Sequence, residues 1–179
     1  MIENSGPTKQ RKRFRDIRSH ELGQVSTIAD ACLSRIGIDS VGANRIRQWE
    51  SNYRLMDPKA LAEDQKTKGY TLNVMTVGSE VVGYLSCSIA KKFIVIDEMG
   101  VAPIHWRNGY ATYMIRQLQK MVKFTGLEPF GVKGIGVKVA EKNLPALLFF
   151  RRCGFKWVKT ICHDLLGYDT YAMQYKKQR

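Results

Sequence analysis

Residues 93–124 constrain the fold more strongly than any other part of the chain. Their first part, FIVIDEMGV (93–101), has the length and the branched aliphatic content of a buried β-strand. A proline and the turn RNG (107–109) follow, after which apolar residues recur at helical spacing over 111–122. The chain therefore passes from a buried strand through a glycine turn into an amphipathic helix, which is typical of domains that pack helices on a sheet.

Strand and helix patterns alternate over the rest of the chain. Runs with strand character lie at 13–19, 70–77, 80–89, 91–101, 135–141, 155–165 and 168–176. Helical spacing or helix boundary residues mark 21–36, 42–66, 107–125 and 143–154, and Pro58 interrupts the second of these. Because hairpin patterns occur towards both ends and helices lie between them, we predict a mixed α/β (α+β) sheet.

Length and charge limit the domain organisation and the partners. With 179 residues the chain is expected to form one domain, residues 15–179, after a basic and disordered tail, residues 1–14. Lys and Arg number 29 against 16 Asp and Glu, and the net charge of +13 favours acidic proteins, phosphate-bearing cofactors or RNA as partners. We find neither a membrane span nor a secretory signal, and therefore predict a cytoplasmic protein without membrane contact. The four cysteines are scattered, which predicts reduced thiols and no metal site.

The glycine turn has the features of an anion site. The first turn of a helix leaves its N–H groups without intrahelical acceptors and carries about half a positive charge. Gly109 has no Cβ and Ala111 a small side chain, so an anion such as a phosphate can approach these N–H groups. A glycine at a strand-to-helix turn also occurs for backbone reasons alone.

Two segments of the sequence resemble motifs of the GNAT superfamily of N-acetyltransferases. IDEMGVAPIHWRNGYATYMIRQL (96–118) is similar to the pyrophosphate motif of that family, and IGVKVAEKNLPALLFFRRCGFKWV (135–158) to its later signature. The resemblance covers residues 15–179. Within it, WRNGYAT (106–112) and the C-terminal LGYDTYAMQYK (166–176) look like the branch that acetylates the N-termini of ribosomal proteins.

This resemblance implies a fold and a cofactor. The fold is a mostly antiparallel sheet of about six to seven strands with about four helices, in which two strands splay apart at the cofactor site. The cofactor is acetyl-CoA. The residues that the resemblance assigns to it are Met99, Val101, Trp106, Arg107, Asn108, Gly109, Tyr110, Ala111, Thr112, Asn143 and Phe150. Asn143 is equally well explained as the N-cap of the following helix.

Transfer to an amine requires a base, and two carboxylates lie just before Val101. Adjacent strand residues face opposite ways, so we expect only one of Asp97 and Glu98 to point into the site. We favour Glu98, because Asp97 shares a face with Met99 and Val101, which look like core positions. Other candidates for the base are Glu141, His105 and His163.

The leaving thiolate has no obvious acid. Phe150 stands where many family members carry a tyrosine that acts as general acid. A thiolate with a pKa of ~8.5 can take its proton from water. Tyr168 or Tyr171 could supply it instead.

Three functions remain open at this stage. The first is an N-acetyltransferase whose acceptor is a primary amine, with a protein or peptide favoured. The second is a GNAT-type toxin that acetylates aminoacyl-tRNA, and the third is a non-catalytic basic module that binds nucleic acid or the ribosome. The oligomeric state is expected to be a monomer or a homodimer.

Overall fold

The computed structural model describes residues 11–34, 71–90, 92–124, 132–161 and 169–176. Three of the sequence predictions lie outside these residues: the helical region at 42–66, the candidate base His163 and the candidate acid Tyr168. Within them, no helix is long and apolar enough to cross a membrane.

In the described residues, seven strands form a single sheet, and three α-helices pack against it. The strands are β1 (Lys12–Asp16), β2 (Thr71–Val77), β3 (Glu80–Ala90), β4 (Phe93–Val101), β5 (Gly134–Ala140), β6 (Lys156–Ile161) and β7 (Thr170–Lys176). The helices are α1 (Leu22–Ser34), α2 (Tyr110–Phe124) and α3 (Leu144–Arg152), with short 3-10 turns at Ser19–Glu21 and Pro103–His105. The strand order is β1-β2-β3-β4-β5-β7-β6. Every neighbouring pair is antiparallel except β4 and β5, which are parallel.

The helices cover the two faces of the sheet unequally. On the α2 face, α2 and α3 pack on a large apolar cluster, to which α2 contributes the predicted positions Met114, Ile115, Leu118 and Val122. On the α1 face, the buried α1 residues Val25, Ile28 and Ala29 pack against Leu72, Val74, Val81 and Tyr84. Since its main strand contacts are with β3 and β4, α1 covers chiefly the β1–β4 half of its face.

The first strand includes residues that the expected domain boundary left out. Residues 12–14, assigned above to the disordered tail, form the first part of β1 and pair with β2. Phe14 packs on the α2 face, whereas Arg15 forms an ion pair with the buried Glu21 at the start of α1. The strand pattern at 13–19 covered most of β1, whereas the expected domain boundary at residue 15 falls inside this strand.

The predicted fold class is confirmed. The sheet is mixed and mostly antiparallel, with seven strands, and the hairpin between β2 and β3 turns at Gly78, whose φ is +61°. The implied splay is also present. Parallel pairing of β4 with β5 runs from Phe93 and Gly134 to Ile96 and Val137 and goes no further.

Candidate active site

A gap opens between β4 and β5 beyond Ile96 and Val137. The Ala102 N–H donates to the Val82 carbonyl at 2.9 Å, which continues the antiparallel ladder between β3 and β4. Hydrogen-bonded and non-hydrogen-bonded pairs alternate along such a ladder. The backbone polar groups of Met99 and Val101 therefore point away from β3 and into the gap. Their side chains lie on the α2 face, as predicted.

A β-bulge places both neighbouring carboxylates on one face of the sheet. Ser86 pairs with Glu98 and Cys87 with Ile96, so Asp97 is an extra residue in β4. The Tyr84 hydroxyl donates to Glu98 at 2.9 Å, and the Ser88 hydroxyl donates to Asp97 at 3.0 Å. Tyr84 and Ser88 share the α1 face, because β3 alternates regularly between them. The expectation that only one of the two carboxylates points into the site is wrong, since the bulge breaks the alternation on which it depended.

A buried tyrosine of β3 donates a hydrogen bond to Glu98. Tyr84 is 1 % exposed, and burial, together with the neighbouring Glu98 carboxylate, raises the pKa of its phenol. The phenol therefore remains a proton donor to Glu98. Tyr84 lies opposite Gly100, where a Cβ atom would stand 2.7 Å from the tyrosine ring. Gly100 thus provides the space for the ring that positions Glu98.

Asp97 occupies a more open position beside a lysine. Its side chain reaches solvent, yet the surrounding strands still raise the pKa of its carboxyl by burial. The hydrogen bond from Ser88 and the charge of Lys138 oppose that shift. Asp97 and Glu98 therefore face the same space in different surroundings.

The turn before α2 has left-handed backbone at two positions. Arg107 has a φ of +63° and Gly109 a φ of +78°. The Tyr113 N–H donates to the Gly109 carbonyl at 2.9 Å, so Gly109 is the N-cap residue of α2. The N–H groups of residues 109–112 consequently have no acceptor within the helix. The first turn carries no acidic side chain, and a Cβ on Gly109 would meet no atom within 4 Å.

Trp106 closes one side of the gap. Its indole N–H donates to the Val101 carbonyl, and the Cys32 thiol of α1 reaches the same oxygen at 3.4 Å. Burial raises the pKa of the Cys32 thiol, so that it stays protonated. Sequence reasoning assigned Trp106 to the cofactor and missed this bracing of β4. Nothing in the sequence indicates a contact between residues as distant as Cys32 and Val101.

The remaining predicted residues lie around the same edge of the sheet or in the core. The Asn143 side chain accepts a hydrogen bond from the Ala146 N–H at 3.2 Å, which makes it the N-cap of α3. Phe150 is 4 % exposed and packs edge-to-face on Phe149 and Phe155. Its ring belongs to the core of the α2 face and has no proton to donate. His105 is 2.9 Å from Glu80 and its ring meets that of Tyr110 edge-on, and Glu141 is exposed beyond β5.

The described parts of the chain contain no cluster of side chains typical of a metal site. Over these ranges no group of His, Cys, Asp and Glu side chains is arranged to hold an ion. Cys32, Cys87 and Cys153 are free thiols.

Residues 41–155, more than half of the chain, match the model of the GNAT acetyltransferase family. The chain belongs to this family. Among curated proteins, none matches it by sequence. Membership confirms the resemblance drawn from the glycine turn and the segment at 135–158, and it identifies the protein as an acetyltransferase.

Solved GNAT structures share the fold at low sequence identity. PaiA N-acetyltransferase from Thermoplasma acidophilum, in complex with coenzyme A, has a TM-score of 0.69 and 14 % identity, over 92 % of this chain and 99 % of that one. NAA60 from Arabidopsis thaliana, in complex with acetyl-CoA, has a TM-score of 0.63 and 15 % identity, over 93 % and 98 %. The ribosomal-protein-S18-alanine N-acetyltransferase from Escherichia coli has a TM-score of 0.59 and 14 % identity, over 93 % and 94 %.

The prediction of a CoA cofactor agrees with these structures, and this chain has the features to hold one. An elongated thiol ester needs a slot in the sheet, which the divergence of β4 and β5 provides. Its phosphates need unpaired N–H groups, which the start of α2 provides without an opposing carboxylate. The residues therefore fit acetyl-CoA.

Proposed function

We propose that this protein transfers an acetyl group from acetyl-CoA to a primary amine, with Glu98 as the general base. The observation that supports this most strongly is the bulge at Asp97. It directs two carboxylates to the α1 face at the point where β4 leaves β5. A candidate base would thus lie beside the slot into which the thioester would extend.

Two parts of the chain would hold the cofactor. The N–H groups at the start of α2, together with Arg107, would bind the pyrophosphate. The Met99 backbone groups and the Val101 N–H, which point into the gap, would hydrogen-bond to the pantetheine arm, since the Val101 carbonyl already accepts from Trp106 and Cys32. When bound, acetyl-CoA supplies a thioester whose carbonyl carbon is open to attack by an amine.

The role of Glu98 follows from its surroundings. A free amine reacts only in its neutral form, so an ammonium acceptor must first lose a proton to a base. Tyr84 fixes the Glu98 carboxylate through one hydrogen bond and remains protonated. Tyr84 is therefore a positioning residue for this base. Asp97 would attract the positively charged acceptor to the same opening.

The acceptor that we propose is an α-amine of a protein or peptide. Support comes from the likeness of 106–112 and 166–176 to the N-terminal acetyltransferase branch. A cytoplasmic location, and contact of the basic tail with RNA or the ribosome, stay predictions of the sequence. The buried Phe150 gives no support to the aminoacyl-tRNA alternative, which depends on a tyrosine at this position.

Thermal melting and thiol release together test this proposal. Acetyl-CoA at ~100 times its dissociation constant should add about 2.7 kcal/mol of stability, a rise of roughly 5–10 °C. Transfer to a panel of peptides, small amines and aminoacyl-tRNA is then followed by release of free CoA thiol. Absence of a melting shift would contradict the cofactor site.

A pair of isosteric variants tests the base. Glu98→Gln should lower kcat by about 100-fold or more while keeping the melting shift. Asp97→Asn, the matched control one residue away, should lower kcat much less. The reverse ranking would assign the base to Asp97. Tyr84→Phe should lower kcat by about tenfold with an unchanged KM for acetyl-CoA, because it removes the hydrogen bond to Glu98.

A further inference from the structure

A groove of about 530 Å³ crosses β4, β5 and β7. It lies on the α1 face. Val95 lies between the core residues Ile94 and Ile96, and Lys138 between Val137 and Val139, so alternation turns both towards the α1 face. Gly136 widens the groove, because a Cβ there would meet only the Val95 side chain, at 3.9 Å.

The groove combines an apolar floor with lysines. Phe93, Val95 and Ala172 form part of the floor, while Lys92, Lys133 and Lys138 line the sides. The Lys133 N–H donates to the Lys92 carbonyl at 2.7 Å, which joins the loops before β4 and β5 at one end. All three lysines are exposed and can turn towards a ligand.

The basic surface continues beyond the groove. On β6, Lys156 and Lys159 are in register with Gln174 and Ala172 of β7, which line the groove. Residues paired across strands share a face, so both lysines extend the same surface. The described parts of β5, β6 and β7 contain no acidic residue to neutralise it.

The groove leads to the carboxylates of the candidate active site. Val95 lies two residues before Asp97, and Lys138 lies close enough to Asp97 to lower the pKa of its carboxyl. Lys133 lies five residues further along, roughly 17 Å away in an extended strand. An extended peptide whose amine lies at Asp97 and Glu98 would therefore place its following residues beside the lysines.

We propose that this groove binds an acidic segment of the acceptor polypeptide, close behind the amine that is acetylated. The inference rests on the proposed function, since it uses that site for the amine. Carboxylates would pair with Lys92, Lys133 and Lys138, and an apolar side chain would occupy the floor. The floor favours a peptide over RNA, because bases bind by stacking on aromatic rings and Phe93 is the one aromatic residue among the described lining residues.

Peptide binding tests the groove without acetyl transfer. Labelled peptides of equal length carry a free N-terminal alanine followed by glutamates, glutamines or lysines, and their affinities are measured by fluorescence anisotropy. The glutamate peptide should bind the native protein about tenfold or more tightly than the glutamine peptide. Equal affinity would overturn the proposal.

Two charge-reversed variants localise the binding. The Lys92→Glu, Lys133→Glu double variant should lose about tenfold in affinity for the glutamate peptide and bind the lysine peptide better than the native protein does. The Lys120→Glu, Lys123→Glu double variant makes the same change in net charge on exposed residues of α2, on the other face, and should change affinity less than twofold. Equal losses in both variants would overturn the groove, since they would show an effect of net charge alone.

Filling the groove offers a variant that keeps the lysines. Gly136→Leu introduces no left-handed strain and no Cβ clash, and should weaken binding of the glutamate peptide while the melting shift with acetyl-CoA persists. Unchanged peptide affinity in this folded variant would contradict the groove. The native protein could also bind a single-stranded RNA more tightly than the glutamate peptide. If the Lys92→Glu, Lys133→Glu variant lost this RNA binding, the result would overturn the proposal in favour of nucleic acid.

Kinetics separate this inference from the function on which it rests. With acetyl-CoA present, the glutamate peptide should have a KM about tenfold below that of the glutamine peptide. Equal KM values would overturn the groove and leave acetyl transfer in place. Absence of transfer to every amine, with binding of the glutamate peptide retained, would overturn the proposed function instead.

Discussion

The helices that follow β4 and β5 begin in different ways. At the start of α3, the Asn143 side chain accepts the Ala146 N–H, so the chain closes this helix end itself. At the start of α2, the corresponding residue is Gly109, which has no side chain to offer and a φ of +78°. One helix start is capped by a side chain of the chain itself, whereas the first N–H groups of the other have no acceptor within the helix.

A side chain of the chain itself also lies at the start of α1. Glu21 accepts the Arg18 N–H at 2.9 Å and pairs with Arg15, and its carboxylate lies at the positive end of the helix. We expect a helix start capped by the chain itself to contribute to stability, and we propose that the uncapped start of α2 contributes to binding. The three variants below each change the residue that caps or precedes one of these helix starts.

Gly109→Asp should have the largest effect, on the cofactor. An aspartate tolerates the left-handed backbone better than most residues but places a carboxylate where the pyrophosphate would bind. We expect affinity for acetyl-CoA to fall by about 100-fold, measured by calorimetry. Gly109→Asn is the matched neutral control and should lose about tenfold or less. Equal losses would show that bulk, not charge, excludes the cofactor.

Glu21→Gln should have the next largest effect, on stability. The buried carboxylate accepts hydrogen bonds from Arg15 and Arg18, and the Arg15 hydrogen bond is the main cause that lowers its pKa. Removing its charge should cost about 2 kcal/mol in urea unfolding at neutral pH. Asp30→Asn, on the exposed side of α1, should cost less than about 0.5 kcal/mol.

The contribution of Glu21 should also depend on pH in a defined direction. A carboxyl with a lowered pKa in the folded state stabilises fully above its ordinary pKa and loses this contribution as the pH falls through the lowered value. The difference between native protein and Glu21→Gln should therefore shrink towards zero in acid, below about pH 4. A constant difference across this range would mean that the ion pair does not stabilise the fold.

Asn143→Ala should have the smallest effect. Loss of the N-cap should cost about 1 kcal/mol in stability, whereas Asn143→Asp, which can cap equally well, should cost almost nothing. If Asn143 only caps α3, the melting shift with acetyl-CoA stays the same in both variants. A reduced shift in Asn143→Ala alone would show that the side chain also contacts the cofactor.

Local patterns in the sequence predicted the parts of the fold that depend on neighbouring residues. Helical spacing predicted the buried face of α2, and the motif at 106–112 predicted that a glycine turn precedes this helix. Both follow from residues within a few positions of each other, where the chemistry of a single element decides the structure. The family resemblance predicted the splay between β4 and β5.

The geometry around the carboxylates could not be predicted in this way. The bulge at Asp97 depends on the register between β3 and β4, and strict alternation placed the two carboxylates on opposite faces. Tyr84 and Cys32 come from other elements, so their contacts with Glu98 and Val101 exist only after the sheet and α1 have formed. Pairing between distant segments, rather than local propensity, determines this part of the site.

The parallel pairing described above joins two antiparallel halves of the sheet. β1–β4 form one half and β5–β7 the other, and the two are in register over only four residue pairs, with α2 packed across both. A cofactor bound in the gap would contact both halves and so connect them further. Acetyl-CoA should therefore slow hydrogen exchange mainly along the junction, at Phe93–Ile96 and Gly134–Val137, and less within either half.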